Sequence, residues 1–287
     1  MSRALRPRLL LPILLLAALP VAAQAPVEIT PDVVYGHKDG MAMTFDVFQP
    51  ESNANGIGLI HMVSGGWVSS WTPPEQAVQR YRFLLDQGFT VFSVRHGSSP
   101  RYLVPDAFSD VKLATRYINL HGTEFGVDPE RLGVWGSSAG GHLSLMLGLT
   151  ADEGNAAGTT PVESAPSRIA AVVAYFPPTD LRSWAGPSER FPALDFDPTL
   201  AESISPVLHV DGDTPPTLLM HGDEDTLVPI AHSERLHAIF QESGVTAEFI
   251  PFPGQGHGFR GEDAQRGQRE VVEWFTKHLV NAAVATR

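Results

Sequence analysis

Apolar, β-branched runs of four to six residues recur along the chain, and stretches with apolar residues three and four apart separate them. The runs predict strands at Gly58–Val63, Thr90–Val94, Leu132–Trp135, Ala170–Tyr175, Thr217–His221 and Ala247–Pro251. The intervening stretches predict amphipathic helices at Glu75–Gln87, Ala107–His121, Gly140–Leu149, His232–Gly244 and Asp263–Val280. Strands apolar on both faces, alternating with helices, imply βαβ units and a mostly parallel sheet flanked by helices, the α/β class. Residues 28–50 alternate apolar and polar positions and contain Gly and Pro, which reads as an antiparallel edge. The stretch 151–168 is rich in Ala, Gly, Thr, Pro and Ser and reads as a surface loop. The stretch 181–206 sets Trp184, Phe191 and Phe196 among prolines and reads as a small insertion acting as a partial lid. No repeat or linker interrupts residues 28–283, which are expected to form one domain.

Composition narrows the chemistry. Hydrophobic residues make up 43% and charged residues 18% of the 287, enough apolar material for a large core and too much for intrinsic disorder. There is no cysteine, which excludes disulfides, thiolate zinc sites and a cysteine nucleophile. Lys+Arg number 20 against 32 Asp+Glu, a formal charge of −12, which argues against a nucleic-acid groove and favours neutral substrates over anionic polymers. The N-terminus carries Arg3, Arg6 and Arg8, then the apolar run Leu9–Leu19, then small residues. That is the layout of an export signal over residues 1–23, with cleavage expected after Ala23. The run falls short of the ~20 apolar residues a membrane span needs. Removing the signal takes away three arginines and no acid, leaving 17 cations against 32 acids, a charge of −15 on a periplasmic or extracellular protein.

One serine stands out. Gly136-Ser137-Ser138-Ala139-Gly140 is a Gly-x-Ser-x-Gly sequence that follows a predicted strand and opens a predicted helix, the context of a nucleophile elbow. The turn is so tight that the residues two before and two after the serine must be small. It lifts the Ser138 hydroxyl off the sheet and aims the following N–H and the helix N-terminus at a developing oxyanion. A serine hydroxyl needs a base, expected late in the chain after an acid. Loops after two predicted strands supply both, in Asp223-Glu224-Asp225 and in Gly256-His257-Gly258. Asp225 is favoured over Asp223 and Glu224 because it lies further from the strand end, and Asp223 is expected to cap backbone N–H groups in the turn. His257 is favoured as base by its glycine-flanked loop. His61, His142 and His221 are expected to be buried, packing histidines. Oxyanion donors are expected from Gly65 and Gly66, after the first parallel strand, and from the N–H of Ala139. Trp67 and Trp71 are candidates for walls of an acyl pocket. No phosphate loop, dinucleotide fingerprint or metal-ligand spacing occurs, so neither cofactor nor metal is expected.

The chain resembles the bacterial carboxylesterase and lipase-like family of the α/β-hydrolase fold, the group that includes feruloyl and acetylxylan esterases. The resemblance covers residues 35–280. It rests on Gly126-Val127-Asp128-Pro129-Glu130-Arg131, Trp135-Gly136-Ser137-Ser138-Ala139-Gly140-Gly141-His142, His221-Gly222-Asp223-Glu224-Asp225, Val228-Pro229 and Gly256-His257-Gly258-Phe259. It implies an α/β-hydrolase fold, a catalytic Ser138, Asp225 and His257, and hydrolysis of short-chain or plant-polysaccharide-linked acyl esters. Two stretches depart from the family. Its usual His-Gly-Gly-x-Trp oxyanion loop reads Val63-Ser64-Gly65-Gly66-Trp67 here, and its usual Tyr-Arg-Leu after the next strand reads Arg95-His96-Gly97. The competing readings are a prolyl-oligopeptidase-like peptidase, whose large propeller this chain has no room for, and a non-catalytic binding protein on the same fold. Arylformamidases share the fold and motif, and the altered oxyanion loop does not favour them. A binding protein would be expected to lack at least one of the three catalytic residues.

Overall fold

The computed structural model describes residues 25–281. The expected export signal therefore lies outside the described residues, apart from which no described helix is long and apolar enough to cross a membrane. Eight strands form one sheet: β1 (Val27–Lys38), β2 (Met41–Pro50), β3 (Gly58–Met62), β4 (Thr90–Val94), β5 (Leu132–Ser137), β6 (Ala171–Tyr175), β7 (Thr217–Gly222) and β8 (Ala247–Phe252). Their order is β1-β2-β4-β3-β5-β6-β7-β8. The β1/β2 and β2/β4 pairs are antiparallel and every later pair is parallel, as the alternating residues 28–50 and the apolar runs predict. This is the α/β-hydrolase sheet.

Among the described residues five helices flank it, α1 (Pro74–Leu85), α2 (Val104–His121), α3 (Ala139–Leu149), α5 (Ala231–Glu242) and α6 (Gly261–Phe275), and the single turn α4 (Pro161–Ser164) packs against α2. Successive strand residues point to opposite faces, and two core layers result. Ile60, Val134, Val172 and Leu219 meet α2, α3 and α5 on one face. Their neighbours Leu59, Trp135, Val173 and Leu218 meet α1 and α6 on the other. All eleven residues of α3 are buried, which explains why it is apolar all round. Gly148 lets it lie close, because a Cβ there would stand 2.4 Å from Val172 Cγ2.

One expectation changes. The last helix stops at Phe275 and continues as one wider turn, Thr276–Val280. Residues 181–206 do form a small insertion, built of short 3₁₀ turns whose Ala193, Leu194, Phe196 and Ile204 are buried.

Candidate active site

The site lies beyond the carboxyl ends of β3, β5, β7 and β8, where open parallel sheets bind ligands. Ser138 follows β5 and caps the N-terminus of α3 with φ +55° and ψ −120°. A non-glycine residue there is strained, and the neighbours show what enforces it. A Cβ on Gly136 would stand 2.5 Å from Gly140 O, and one on Gly140 would stand 2.7 Å from Met62 O. The N–H of Ser138 donates to Tyr175 O at 2.9 Å, tying the elbow to β6.

Asp225 and His257 reach Ser138 from two loops that brace each other. The N–H of Glu224 donates to Gln255 O at 3.0 Å. Gly222 is required at the crossing, since a Cβ there would stand 2.1 Å from Gln255 O. His257 sits at the tip of a three-residue turn closed by Gly258 N–H to Gly256 O at 2.8 Å. Its Nδ1–H donates to Asp225 Oδ2 at 2.7 Å, because a carboxylate can only accept. Nε2 is thereby left as an acceptor, 2.8 Å from Ser138 Oγ, whose hydroxyl donates to it. Asp225 is fully buried at its side chain and takes two more donors on Oδ1, the N–H groups of Leu227 (2.9 Å) and Val228 (3.0 Å). Asp223 does something else: its Oδ1 accepts from Gly254 N–H at 2.7 Å, across the loop pair. Glu224 is exposed.

The other expected site residues divide. No hydrogen bond among the described residues engages the N–H of Gly66 or of Ala139, and both remain available as donors. Gly65 needs correcting: its N–H donates to Val68 O at 3.0 Å, closing a small turn. Trp67 needs correcting too. Consecutive positive φ values at Gly66 (+57°) and Trp67 (+56°) turn the indole inward, where it is 2% exposed and not a pocket wall. Its Nε1–H donates to His142 Nδ1 at 3.3 Å, and His142 Nε2–H donates to Ile204 O at 2.8 Å. This relay fastens the Gly66 loop, α3 and the insertion together, and Phe191 of the insertion covers Gly66, its Cδ1 3.1 Å from where a Cβ would stand. Trp71 is 59% exposed.

His142, His221 and His61 are buried, as expected of packing histidines. His221 accepts from Ser233 Oγ–H at Nδ1 and donates from Nε2 to Val228 O, both at 2.8 Å, so it braces the Asp225 loop. Burial pushes His142 down to about 4 and His61, with added repulsion from Arg80, to about 3. An unfolded imidazole titrates near ~6.5. Between these values the unfolded chain binds protons that the folded chain refuses, so stability falls as pH falls through that window. Each histidine contributes a slope of about 1.4 kcal/mol per pH unit. Urea unfolding between pH 7 and pH 4.5 is expected to show this loss, and His142→Gln to flatten it by that one-histidine share. An unchanged slope would mean that His142 is protonated in the fold.

The two departures in the sequence meet each other. His96 is 5% exposed and its Nδ1–H donates to Gly97 O at 2.7 Å. Its Nε2 therefore accepts, and the Ser64 hydroxyl donates to it at 2.8 Å. The residue that begins the altered oxyanion loop is held by the residue altered after β4.

A cavity of ≈ 470 Å³ opens between α1 and α6; Ser138, Asp225 and His257 do not line it themselves, and it adjoins them through their neighbours. Ser64 and Ser137 line it, as does Phe176, whose ring centroid lies 4.7 Å from that of His257. Sequence reasoning missed its other walls. The one signal was Phe83, an apolar residue off the buried 77-78-81-84-85 stripe of α1, which meets Trp135 edge-on at 5.9 Å.

The sheet, the elbow and the three-residue relay define an α/β-hydrolase. More narrowly, the chain belongs to the BD-FAE family, whose pattern matches residues 45–240, more than half of it. Esterase LipQ of Mycobacterium tuberculosis (strain ATCC 25618 / H37Rv) is 28% identical over 80% of this chain and 57% of its own length. Esterase LipC of the same strain is 29% identical over 82% of this chain and 60% of its own length. The chain thus spans less than two thirds of these relatives. Among solved structures, a truncated form of carbohydrate esterase from gut microbiota superposes with a TM-score of 0.72, at 26% identity over 90% of this chain and 99% of that one.

Proposed function

We propose that this chain is a serine carboxylic-ester hydrolase that works through an acyl-enzyme. The observation that carries the reading is the aligned relay from Ser138 Oγ through His257 to Asp225, at 2.8 and 2.7 Å. Ser138 Oγ attacks the ester carbonyl carbon as His257 Nε2 takes its proton. The N–H groups of Gly66 and Ala139 hold the carbonyl oxygen as it becomes an oxyanion, a contribution worth about 10²–10³-fold per donor. The C–O bond breaks, and His257 returns the proton to the departing alcohol. Water then gives a proton to His257 and attacks the acyl carbon, and the free acid leaves as Ser138 recovers its proton. Asp225 holds the imidazole in the tautomer that both halves need. The names of the relatives support an ester substrate, and the carbohydrate esterase among the solved structures supports an ester of a sugar or similar alcohol. The signal-like residues 1–23 support export.

The test is turnover of p-nitrophenyl acetate, p-nitrophenyl octanoate and Gly-Pro-p-nitroanilide, together with covalent capture of paraoxon. Expected are ester turnover with preference for acetate, and one diethylphosphoryl group per chain on the peptide that contains Ser138. Anilide turnover exceeding ester turnover would make the chain a peptidase. A folded protein that neither turns over an ester nor captures paraoxon would overturn the reading.

A further inference from the structure

The overall acidity of the chain is not reproduced in the cavity beside Ser138. Among the described residues no carboxylate lines it, and its one permanently charged lining residue is Arg80. The only other lining group that could carry a positive charge is His61, which burial keeps neutral. Arg80 of α1 lines the cavity together with Gln268 of α6; it is exposed and forms no ion pair among the described residues. Asp46 borders a small neighbouring hollow with Arg80, but it accepts from Arg95 and from the N–H of Asp32. The Arg80 charge acts on the buried His61, which also lines the cavity, and on the neighbouring Tyr81 hydroxyl. Around it stand aromatic walls, Phe83, Trp135, Phe176 and Phe259 among them. A volume of ≈ 470 Å³ holds an aromatic or short aliphatic body with a polar end.

We propose that this cavity binds esters that carry a carboxylate, with Arg80 as the counter-ion. The proposal rests on the esterase reading and names the substrate class of that same site. The planar fork of an arginine matches a carboxylate in two parallel hydrogen bonds. A single cation suits a singly charged anion better than a phosphate, and aromatic walls suit the body that carries it. The overall charge of −12 does not oppose this at close range, because at physiological salt it is screened beyond about 8 Å. The carboxylate can sit on the acyl part or on the alcohol part of the ester, and matched substrates separate the two.

Phenyl acetate is compared with 4-acetoxybenzoate for the alcohol side, and phenyl pentanoate with the monophenyl ester of glutaric acid for the acyl side. The wild-type chain is expected to favour one charged partner, with the preference shrinking at 0.5 M salt. Arg80→Gln is expected to lower kcat/KM for that substrate by about 10- to 100-fold, mainly through KM, and to lower it much less for the neutral partner. Arg80→Lys is expected to restore part of it. Equal losses on neutral and charged esters, or no preference in the wild type, would overturn the proposal. Binding is read separately from turnover by calorimetry of both charged esters on Ser138→Ala and on Ser138→Ala with Arg80→Gln. Binding that needs Arg80 upholds the anion site even if the esterase reading fails, and Arg80-independent or absent binding overturns it.

Discussion

Ser138→Ala is expected to lower ester turnover by about 10⁶-fold and to leave the fold intact. The loss is large because the hydroxyl is the only group His257 can activate. Without it His257 Nε2 has no proton to take from the protein, and what remains is the smaller help of the oxyanion donors and of substrate binding. The fold survives for a local reason. The positive φ of +55° is enforced by the Gly136 and Gly140 contacts, and alanine bears it at the same cost as serine. The imidazole side chain is 19% exposed, so water replaces the lost hydroxyl partner. Steady-state kinetics on p-nitrophenyl acetate and a thermal melt decide it. Retention of more than a hundredth of the activity would move the nucleophile elsewhere, with Ser137 the first place to look.

Asp225→Asn is expected to lower kcat by about 10⁴-fold with a much smaller change in KM. Every group that faces Asp225 is a donor: Leu227 N–H, Val228 N–H and His257 Nδ1–H by hydrogen bond, with His221 Nε2 at 3.3 Å from Oδ2. An asparagine offers one oxygen and one NH₂. If the oxygen keeps the two backbone donors, the NH₂ faces His257 and forces it to accept at Nδ1. The imidazole proton then moves to Nε2, where it meets Ser138 and blocks proton transfer. If the amide flips, the two backbone donors lose their acceptor and the loop loses its brace. Asp223→Asn is the control, since Asp223 meets only Gly254 N–H and can keep that bond through the amide oxygen. A variant at Asp225 that keeps full kcat, or one at Asp223 that loses it, would reassign the acid.

Much of this was legible in the chain because the physics involved is local. The inner parallel strands are buried on both faces, so β3 to β7 appear as largely apolar runs, and the observed ends of β3 to β8 fall within two residues of the predicted ones. The elbow is legible because only glycines fit around Ser138. The acid was separable from its neighbours because Asp225, three residues past the end of β7, is the one turned back and buried. What was not legible depends on backbone reversals and on distant partners. Nothing in Gly65-Gly66-Trp67 announces that two positive φ values in succession will bury the tryptophan, or that Val68 O will take the Gly65 N–H. Helix α2 begins three residues early because the Asp106 carboxylate reaches back to the N–H of Leu103, a cap hidden behind Pro105. Arg80 is one more polar residue on an amphipathic helix until α6 is placed across from it.

The Ser64–His96 hydrogen bond makes two differences from the family into one. Restoring glycine at position 64 alone would strand Nε2 of a ring that is 5% exposed, and replacing His96 alone would leave the Ser64 hydroxyl without its acceptor. Each single change therefore leaves one partner of this hydrogen bond unmatched, so the two positions, 32 residues apart, are coupled through it. A loop transplanted from a relative into this scaffold has to bring its partner after β4 with it.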